Sequence, residues 1–439
     1  MIQRLLCSAL LGLLLANYSQ GQTEDASSDD ERSSIQRDES SGSDTTTRPL
    51  VAEPLPGASR ARLTTPQQYV SRLVSFFSST QSASSSRQLS QYYRSRSRAS
   101  LLRMPEMFGD FRSPGSRAVA SIGTFNSLSI ELPAAAGISG LRIAENNQAL
   151  PADRFWFAYN YFDNALSINP AGPVAAPSDD QSLHRLMLAR EWLLDDGRTS
   201  IEARIPFGSA ININDNAIAG LASSNYRIDS DSIGNLSLIL KRLLYGDGCV
   251  ALSGGLGIET PTGSSVRLIT ADIDVTQEVE AVHLVPFLSA TERFNQWFGH
   301  AFLQLDIPLG DDPIVGSLDP LTAPGTLAEI GASPRLGLDV GIGYWFIQPR
   351  CSCDFGLAAI AELHLTTGLG DTDSATIVDG TTTLSINTPV GVSDDLLNAT
   401  FGLISSHGNG WSIRSAVVAP LRDQRVFDVE AVLQLNRTF

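Results

Sequence analysis

The last thirteen residues constrain this chain more than any other stretch. Phe427, Val429, Ala431, Leu433, Leu435 and Phe439 fall on one parity, and Asp428, Glu430, Gln434, Asn436 and Thr438 on the other. Arg437 and Val432 are the only breaks. Successive side chains of a strand point to opposite faces, so 427–439 reads as a strand with one apolar and one polar face.

From residue 153 onward the same alternation recurs. It predicts twelve strands, at 153–165, 182–194, 199–208, 234–245, 249–258, 281–290, 296–306, 335–348, 355–366, 396–406, 411–420 and 428–439. In 335–348, Leu336, Leu338, Val340, Ile342, Tyr344 and Phe346 oppose Arg335, Gly337, Asp339, Gly341, Gly343 and Trp345. In 199–208, Ile201, Ala203, Ile205 and Phe207 oppose Ser200, Glu202 and Arg204. Segments 182–194 and 281–290 alternate poorly. Connections after the odd-numbered segments are long and those after the even-numbered ones short, except near 421–427, where the expected long loop is short. Soluble hairpin proteins more often keep their loops uniformly short. With an even strand number, both ends of the array fall on the short-turn side.

Composition fits this pattern. The chain has 439 residues, a formal net charge of -16 and 42% hydrophobic residues, and Lys241 is its only lysine. That acidic balance argues against general nucleic-acid binding, which needs positive charge against phosphate. No helical membrane span follows the N-terminal apolar run, and a barrel hides its lipid face by alternation.

Residues 1–21 read as a secretory signal, with Arg4 before the apolar run 5–16 and Ser19-Gln20-Gly21 as a small-x-small cleavage site. Cys7 leaves with it. Residues 22–62 hold almost nothing to bury and read as disordered. A helix-compatible stretch follows at 63–77. Residues 78–103 are Ser-rich and basic, with Arg87, Arg94, Arg96, Arg98 and Arg103 beside Tyr92 and Tyr93. They suit either an anionic surface or a solvated linker. Residues 105–151 change character and contain two ordered-looking pieces, 107–111 and 127–132. Such a segment could plug a barrel, pack beneath it, or supply an extra strand pair.

Export signal, alternating strands, long and short connections and the terminal aromatic Phe439 together resemble Gram-negative outer-membrane β-barrels over 153–439. Within that class, Gly257-Ile-Glu-Thr-Pro-Thr-Gly263 is similar to the strand-ending Pro-Thr-Gly of porin-like barrels assigned to aromatic-compound transport. The resemblance implies an all-β, antiparallel transmembrane barrel of about twelve strands with a periplasmic N-terminal region. It implies outer-membrane lipid around the wall and Phe439 as the signal read by the barrel assembly machinery. Small-molecule solutes are the implied cargo.

On the strand parity, Arg154, Glu202, Arg204, Lys241, His300, Asp339, Glu362, His364, Arg414, Asp428 and Glu430 face the lumen. Facing lipid instead would cost roughly 2–4 kcal/mol for each Arg or Lys at mid-bilayer. Both signs are present, which suits a water-filled pore with a transverse field or a closed interior of salt bridges. Twelve strands fall between eight, whose interior side chains fill, and sixteen, which leave a channel.

The remaining chemistry is sparse. Acidic loops at 306–329 and 371–395 could take calcium as a staple of the outer surface, but the Asp371-x-Asp373 spacing lacks the Gly and Glu positions of a calcium loop. Both loops read first as solubilising charge, so no metal site is assigned. No His-Glu-x-x-His, Gly-x-Ser-x-Gly or phosphate-loop motif occurs, so no catalytic residue and no cofactor are assigned. Cys249, Cys351 and Cys353 lie near short turns in a disulfide-permissive compartment; a bond from Cys249, a local 351–353 bond and free thiols all stay open. The expected function is diffusion of small solutes through a polar lumen. A closed barrel anchoring the basic tail to the cell wall and a membrane lipid hydrolase are the alternatives.

Overall fold

The computed structural model describes residues 104–439 except 111–114, 123–125, 134–139, 172–178, 209–210, 216–225, 231–232, 248, 270–273, 318–323, 350–353, 371–373, 380–381, 388–394 and 423–424. The expected export signal, the stretches up to residue 103, Cys351 and Cys353 lie outside the described residues.

Twelve antiparallel strands form a ring: β1 (Arg154–Ala171), β2 (Asp179–Leu193), β3 (Thr199–Gly208), β4 (Ser237–Gly246), β5 (Val250–Glu259), β6 (Val282–Phe294), β7 (Trp297–Leu309), β8 (Arg335–Ile347), β9 (Gly356–Gly368), β10 (Leu396–His407), β11 (Trp411–Pro420) and β12 (Val429–Thr438). Each pairs with its sequence neighbour. β12 then returns to β1, in register from Val429↔Asp163 to Thr438↔Arg154. Closure satisfies every strand edge, which an open sheet cannot do in lipid. The main departure from the expected boundaries is that β1 and β2 continue past the ring. Their ladder shifts register between Phe162 and Leu166, where Asn164 adopts a φ of 52°. β1 advances four residues there against two in β2, so two extra residues, with Asn164 at positive φ, form a bulge.

The alternation is a property of the wall. In β4, Leu238, Leu240 and Leu244 are exposed while Ile239, Lys241 and Leu243 are buried. In β3, Ile201 and Ile205 point out and Glu202 and Arg204 point in. Exposed Leu186, Leu252, Leu288, Leu303, Ile342, Leu363, Phe401, Ile413 and Leu433 continue this apolar band around the ring. A soluble monomer rarely exposes a single apolar patch above roughly 300–600 Å². A band that circles the molecule is a lipid-facing surface. At its short-turn edge stand exposed Trp192, Tyr245, Phe294, Trp297, Phe346, Phe355 and Phe439, an interfacial aromatic girdle. Arg437, the break in the apolar parity of β12, belongs to that girdle and lies 5.2 Å from the Trp411 ring centroid and 4.9 Å from that of Phe439.

The long connections form strands of their own. Ile211–Asp215, Tyr226–Ser230, Val266–Ile269, Asp274–Gln277, Asp311–Ser317 and Gly325–Gly331 join into a second, six-stranded sheet. The β9–β10 connection carries Ser374–Asp379 and Thr382–Asn387. The latter pairs with Gly115–Ile122, which pairs with Asn126–Pro133. Asn126–Pro133 in turn pairs with the outer end of β1, from Ser127↔Ala171 to Ile130↔Ile168. An N-terminal hairpin therefore stands on the long-loop side, although β1 begins on the short-turn side.

Candidate functional site

The chain reaches that hairpin by crossing the ring. Residues 104–110 and 141–152 are buried throughout and lie inside the barrel. The first leg rises. Its Glu106 meets Arg414 near the start of β11 and Asn436 near the end of β12, at 3.7 and 3.3 Å on the short-turn side. Its Asp110 accepts a 2.9 Å bond from Asn398, at the long-loop end of β10. The second leg descends from Arg142 to Ala152 and enters β1. The two legs bond to each other, Met107 N–H to the Asn147 carbonyl at 2.9 Å and Asn146 N–H to that of Phe108 at 3.3 Å. Gly109 (φ 79°) allows this approach, since a Cβ there would lie 2.6 Å from the Glu145 Cα.

Every strand of the ring makes a polar contact with the legs. On one side, Arg154 of β1 lies 3.6 Å from Glu106, and Arg185 of β2 grips both Glu145 oxygens at 2.7 and 2.8 Å. Arg204 of β3 donates to the Arg142 carbonyl at 2.8 Å, and Lys241 of β4 to Asn147 at 2.8 Å. Ser253 of β5 donates to the Ala149 carbonyl, and Thr291 of β6 accepts from Ala149 N–H at 3.2 Å. Gln304 of β7 holds Ile143 N–H at 2.8 Å and the Leu141 carbonyl at 3.0 Å. Across the lumen, Arg142 reaches Asp339 of β8 at 2.5 Å, Thr366 of β9 at 2.7 Å and Asp110 at 2.9 Å. Glu362 of β9 accepts Phe108 N–H at 2.9 Å and Gly109 N–H at 3.1 Å. Asn398 of β10 holds Asp110, Arg414 of β11 donates to Asn146 at 2.5 Å, and Gln434 and Asn436 of β12 complete the circle.

Among the expected lumen residues, Arg154, Glu202, Arg204, Lys241, His300, Asp339, Glu362, His364, Arg414 and Glu430 are each no more than 4% exposed. The fold gathers them into networks. Glu191 accepts from Arg154 at 2.6 Å, Lys241 at 2.9 Å, Ser200 at 2.6 Å and Ala152 N–H at 3.2 Å. Glu202 accepts from Trp156 at 2.9 Å and Arg204 at 3.0 Å. His364 lies 2.8 Å from Asp339, 3.2 Å from Glu362 and 3.0 Å from Thr400. Asp110, Asp339 and His364 hold potential ligand atoms within 4.8 Å of one another, but Arg142 pairs with both carboxylates. His300 bonds Thr291 at 3.0 Å, and Glu430 accepts from Asn160 at 2.6 Å. Asp428 differs: it precedes β12 at the long-loop rim, half-buried, and meets Asn164 and Arg425.

Arg185 and Glu191 were not legible as lumenal because β2 alternates poorly. Its inward row also holds Met187 and Ala189, which cluster with Trp156 and Ala158. The inward row of β6 is likewise partly apolar, since Val285 and Phe287 cluster with Leu141 and Ile143 of the descending leg. The run Arg142-Ile-Ala-Glu-Asn-Asn-Gln148, polar beside apolar residues, was the one available signal for the legs.

The other expected sites disperse. Phe439 stands at the girdle with the Arg190 guanidinium 4.7 Å from its ring centroid, and its N–H donates to the Asp153 carbonyl at 2.9 Å. Cys249 is a free, exposed thiol in the β4–β5 turn. Beside it, the Val250 and Cys249 N–H groups hold the Asp247 carboxyl below its usual range. Thr260 to Gly263 fold against the start of β4, where Asn235 Oδ1 accepts Gly263 N–H at 2.8 Å. In the acidic loops Asp312 accepts the N–H groups of Glu280 and Ala281, whereas Asp319, Asp371, Asp373 and Asp394 lie outside the described residues. On the outer wall Ser405 comes within 2.9 Å of His407 Nε2. No described side chain hydrogen-bonds the other ring nitrogen, which a working Ser–His pair needs for orientation.

No family model and no curated protein matches the chain. Solved structures do match in outline. The translocator domain of autotransporter NalP from Neisseria meningitidis aligns at a TM-score of 0.40 and 12% identity, over 66% of this chain and 90% of that one. The Pseudomonas putida toluene transporter TodX aligns at 0.37 and 10%, over 66% and 90%. The KdgM porin aligns at 0.30 and 7%, over 65% and 99%. The closed ring, its apolar outer band and its charged interior make this chain a twelve-stranded antiparallel β-barrel of the membrane-spanning kind, threaded twice by its own N-terminal segment.

Proposed function

We propose that the protein is a gated outer-membrane channel, shut at rest by the two legs and passing small solutes once they shift. The observation that carries this reading is that all twelve strands make a polar contact with the legs. The seam also has an apolar part, in which Met104, Phe108 and Leu150 cluster with Phe298, Trp345 and Ile360 of the wall. Its neutral hydrogen bonds can be exchanged for water at about 0.5–1.5 kcal/mol net each. The ring itself has no need of the legs for its backbone bonds. Since residue 104 enters from the short-turn side, the region before it is periplasmic in this reading. Outer-membrane lipid and the barrel assembly machinery are its partners.

The test is single-channel recording of refolded full-length protein beside Gly109→Ala, which presses a methyl group into the Glu145 backbone. Rare openings in the native chain and frequent ones in the variant are expected. Silence in both, with the barrel folded by circular dichroism, would leave the closed barrel that anchors residues 78–103 to the cell wall.

A further inference from the structure

We infer that the solutes this lumen takes are small carboxylates, and that Glu145 and Glu106 occupy their seats in the resting protein. As a statement about transport this rests on the channel reading; as a statement about binding it does not. The inner wall is polarised. Arg414, Arg154, Arg185, Arg204 and Lys241 come from β11 and β1 to β4, which are contiguous through β12. Asp339 and Glu362 come from β8 and β9 on the other side, where Arg142 is held and Arg335, at the start of β8, is the one buried arginine that the wall provides among the described residues.

The wall carboxylates of the basic arc have partners of their own, Glu430 of β12 accepting from Asn160. Glu191 is shared by Arg154 and Lys241, and Glu202 lies against Arg204 and Trp156. Arg185 differs. Its one ion pair among the described residues is with Glu145, which the segment and not the wall provides. Both Glu145 oxygens meet the two terminal nitrogens of Arg185, the planar two-point geometry by which guanidinium recognises carboxylate. Glu106 sits in a looser second seat, 3.6 Å from Arg154 and 3.7 Å from Arg414. When the legs shift, the fork loses the one carboxylate that grips it in a buried site, where a cation stripped of its partner is costly. An incoming carboxylate restores both bonds; chloride, a single spherical acceptor, cannot match the two parallel bonds of the fork. The Asp339 and Glu362 wall repels the same solute and presses it toward the arc.

The experiment uses the full chain with Glu145→Ala, refolded in detergent, and follows thermal unfolding in acetate and in chloride at equal ionic strength. The variant is expected to unfold at a lower temperature than the native chain. Acetate raises its midpoint saturably by a few degrees, and chloride does not. The native chain, with its fork filled, shows no acetate-specific rise, and adding Arg185→Gln to the variant abolishes the rescue. Equal effects of chloride and acetate, or rescue that survives Arg185→Gln, would overturn the inference. If Glu145→Ala does not refold, Glu106→Ala gives the same comparison at the second seat, with Arg414→Gln as its control. No current is read, so silence in bilayers would end the channel reading and leave this binding site standing, and failure here would leave the channel reading intact.

Discussion

Glu191 is the residue on which the lower lumen depends. One carboxylate faces two cations, a hydroxyl and the backbone N–H of Ala152, just before β1 begins. Removing one partner of a buried ion pair costs about 3–5 kcal/mol because the other charge stays behind unpaired. Glu191→Gln leaves two such charges, although Arg154 keeps weaker contacts with Glu106 and Glu202 at 3.6 and 3.7 Å. Lys241→Met leaves Glu191 still bonded to Arg154 and Ser200. We therefore expect Glu191→Gln to destabilise by about 3–5 kcal/mol and Lys241→Met by clearly less, read by urea unfolding in micelles. Equal losses would mean that Glu191 is not the shared acceptor. Phe108 shows a second side chain held from several directions, with the Arg414 guanidinium 4.4 Å from its ring centroid and its ring where a Gly402 Cβ would stand, 2.2 Å away.

At the scale of the element, a strand in this ring serves two environments at once, and β4 shows both on consecutive residues. Leu240 is 49% exposed on the outer band and Lys241 is 1% exposed inside. An Arg at Leu240 faces hydrocarbon instead of the lumen. The expected loss is roughly 2–4 kcal/mol if that position lies near the bilayer midplane. The same change at Leu244, toward the girdle, should cost less, because side chains there reach headgroups. Refolding yields and unfolding midpoints in lipid vesicles check the pair, and equal costs would argue against a lipid band centred on the strand middles. The weak alternation of β2 and β6 has a physical cause at this scale. Their inward rows meet apolar side chains and the descending leg as well as polar groups, so an apolar residue is accommodated on either face.

For the molecule as a whole, the parity of the strands places the β4–β5 turn on the same side as residue 104. Cys249 in that turn is free and exposed, which makes it a probe of orientation. In a chain carrying Cys351→Ser and Cys353→Ser, a membrane-impermeant thiol reagent is expected to label Cys249 only after the outer membrane is opened. Labelling of intact cells would invert the barrel and place the long-loop sheet in the periplasm.

The amino-acid sequence by itself determined the strands and their faces. A period of two is written in neighbouring residues and needs no tertiary information, so Ile201 against Glu202 or Leu240 against Lys241 could be read directly. Loop lengths, likewise local, separated the two sides of the array. What filled the lumen was decided only by tertiary structure. The partners of Arg185, Glu362 and Arg414 lie in a segment far away along the chain, and residues 104–110 and 141–152 have no regular period to announce a place inside a barrel. Their position follows from charge pairing at long sequence separation: a buried cation must find an anion, but the chain does not state locally which one.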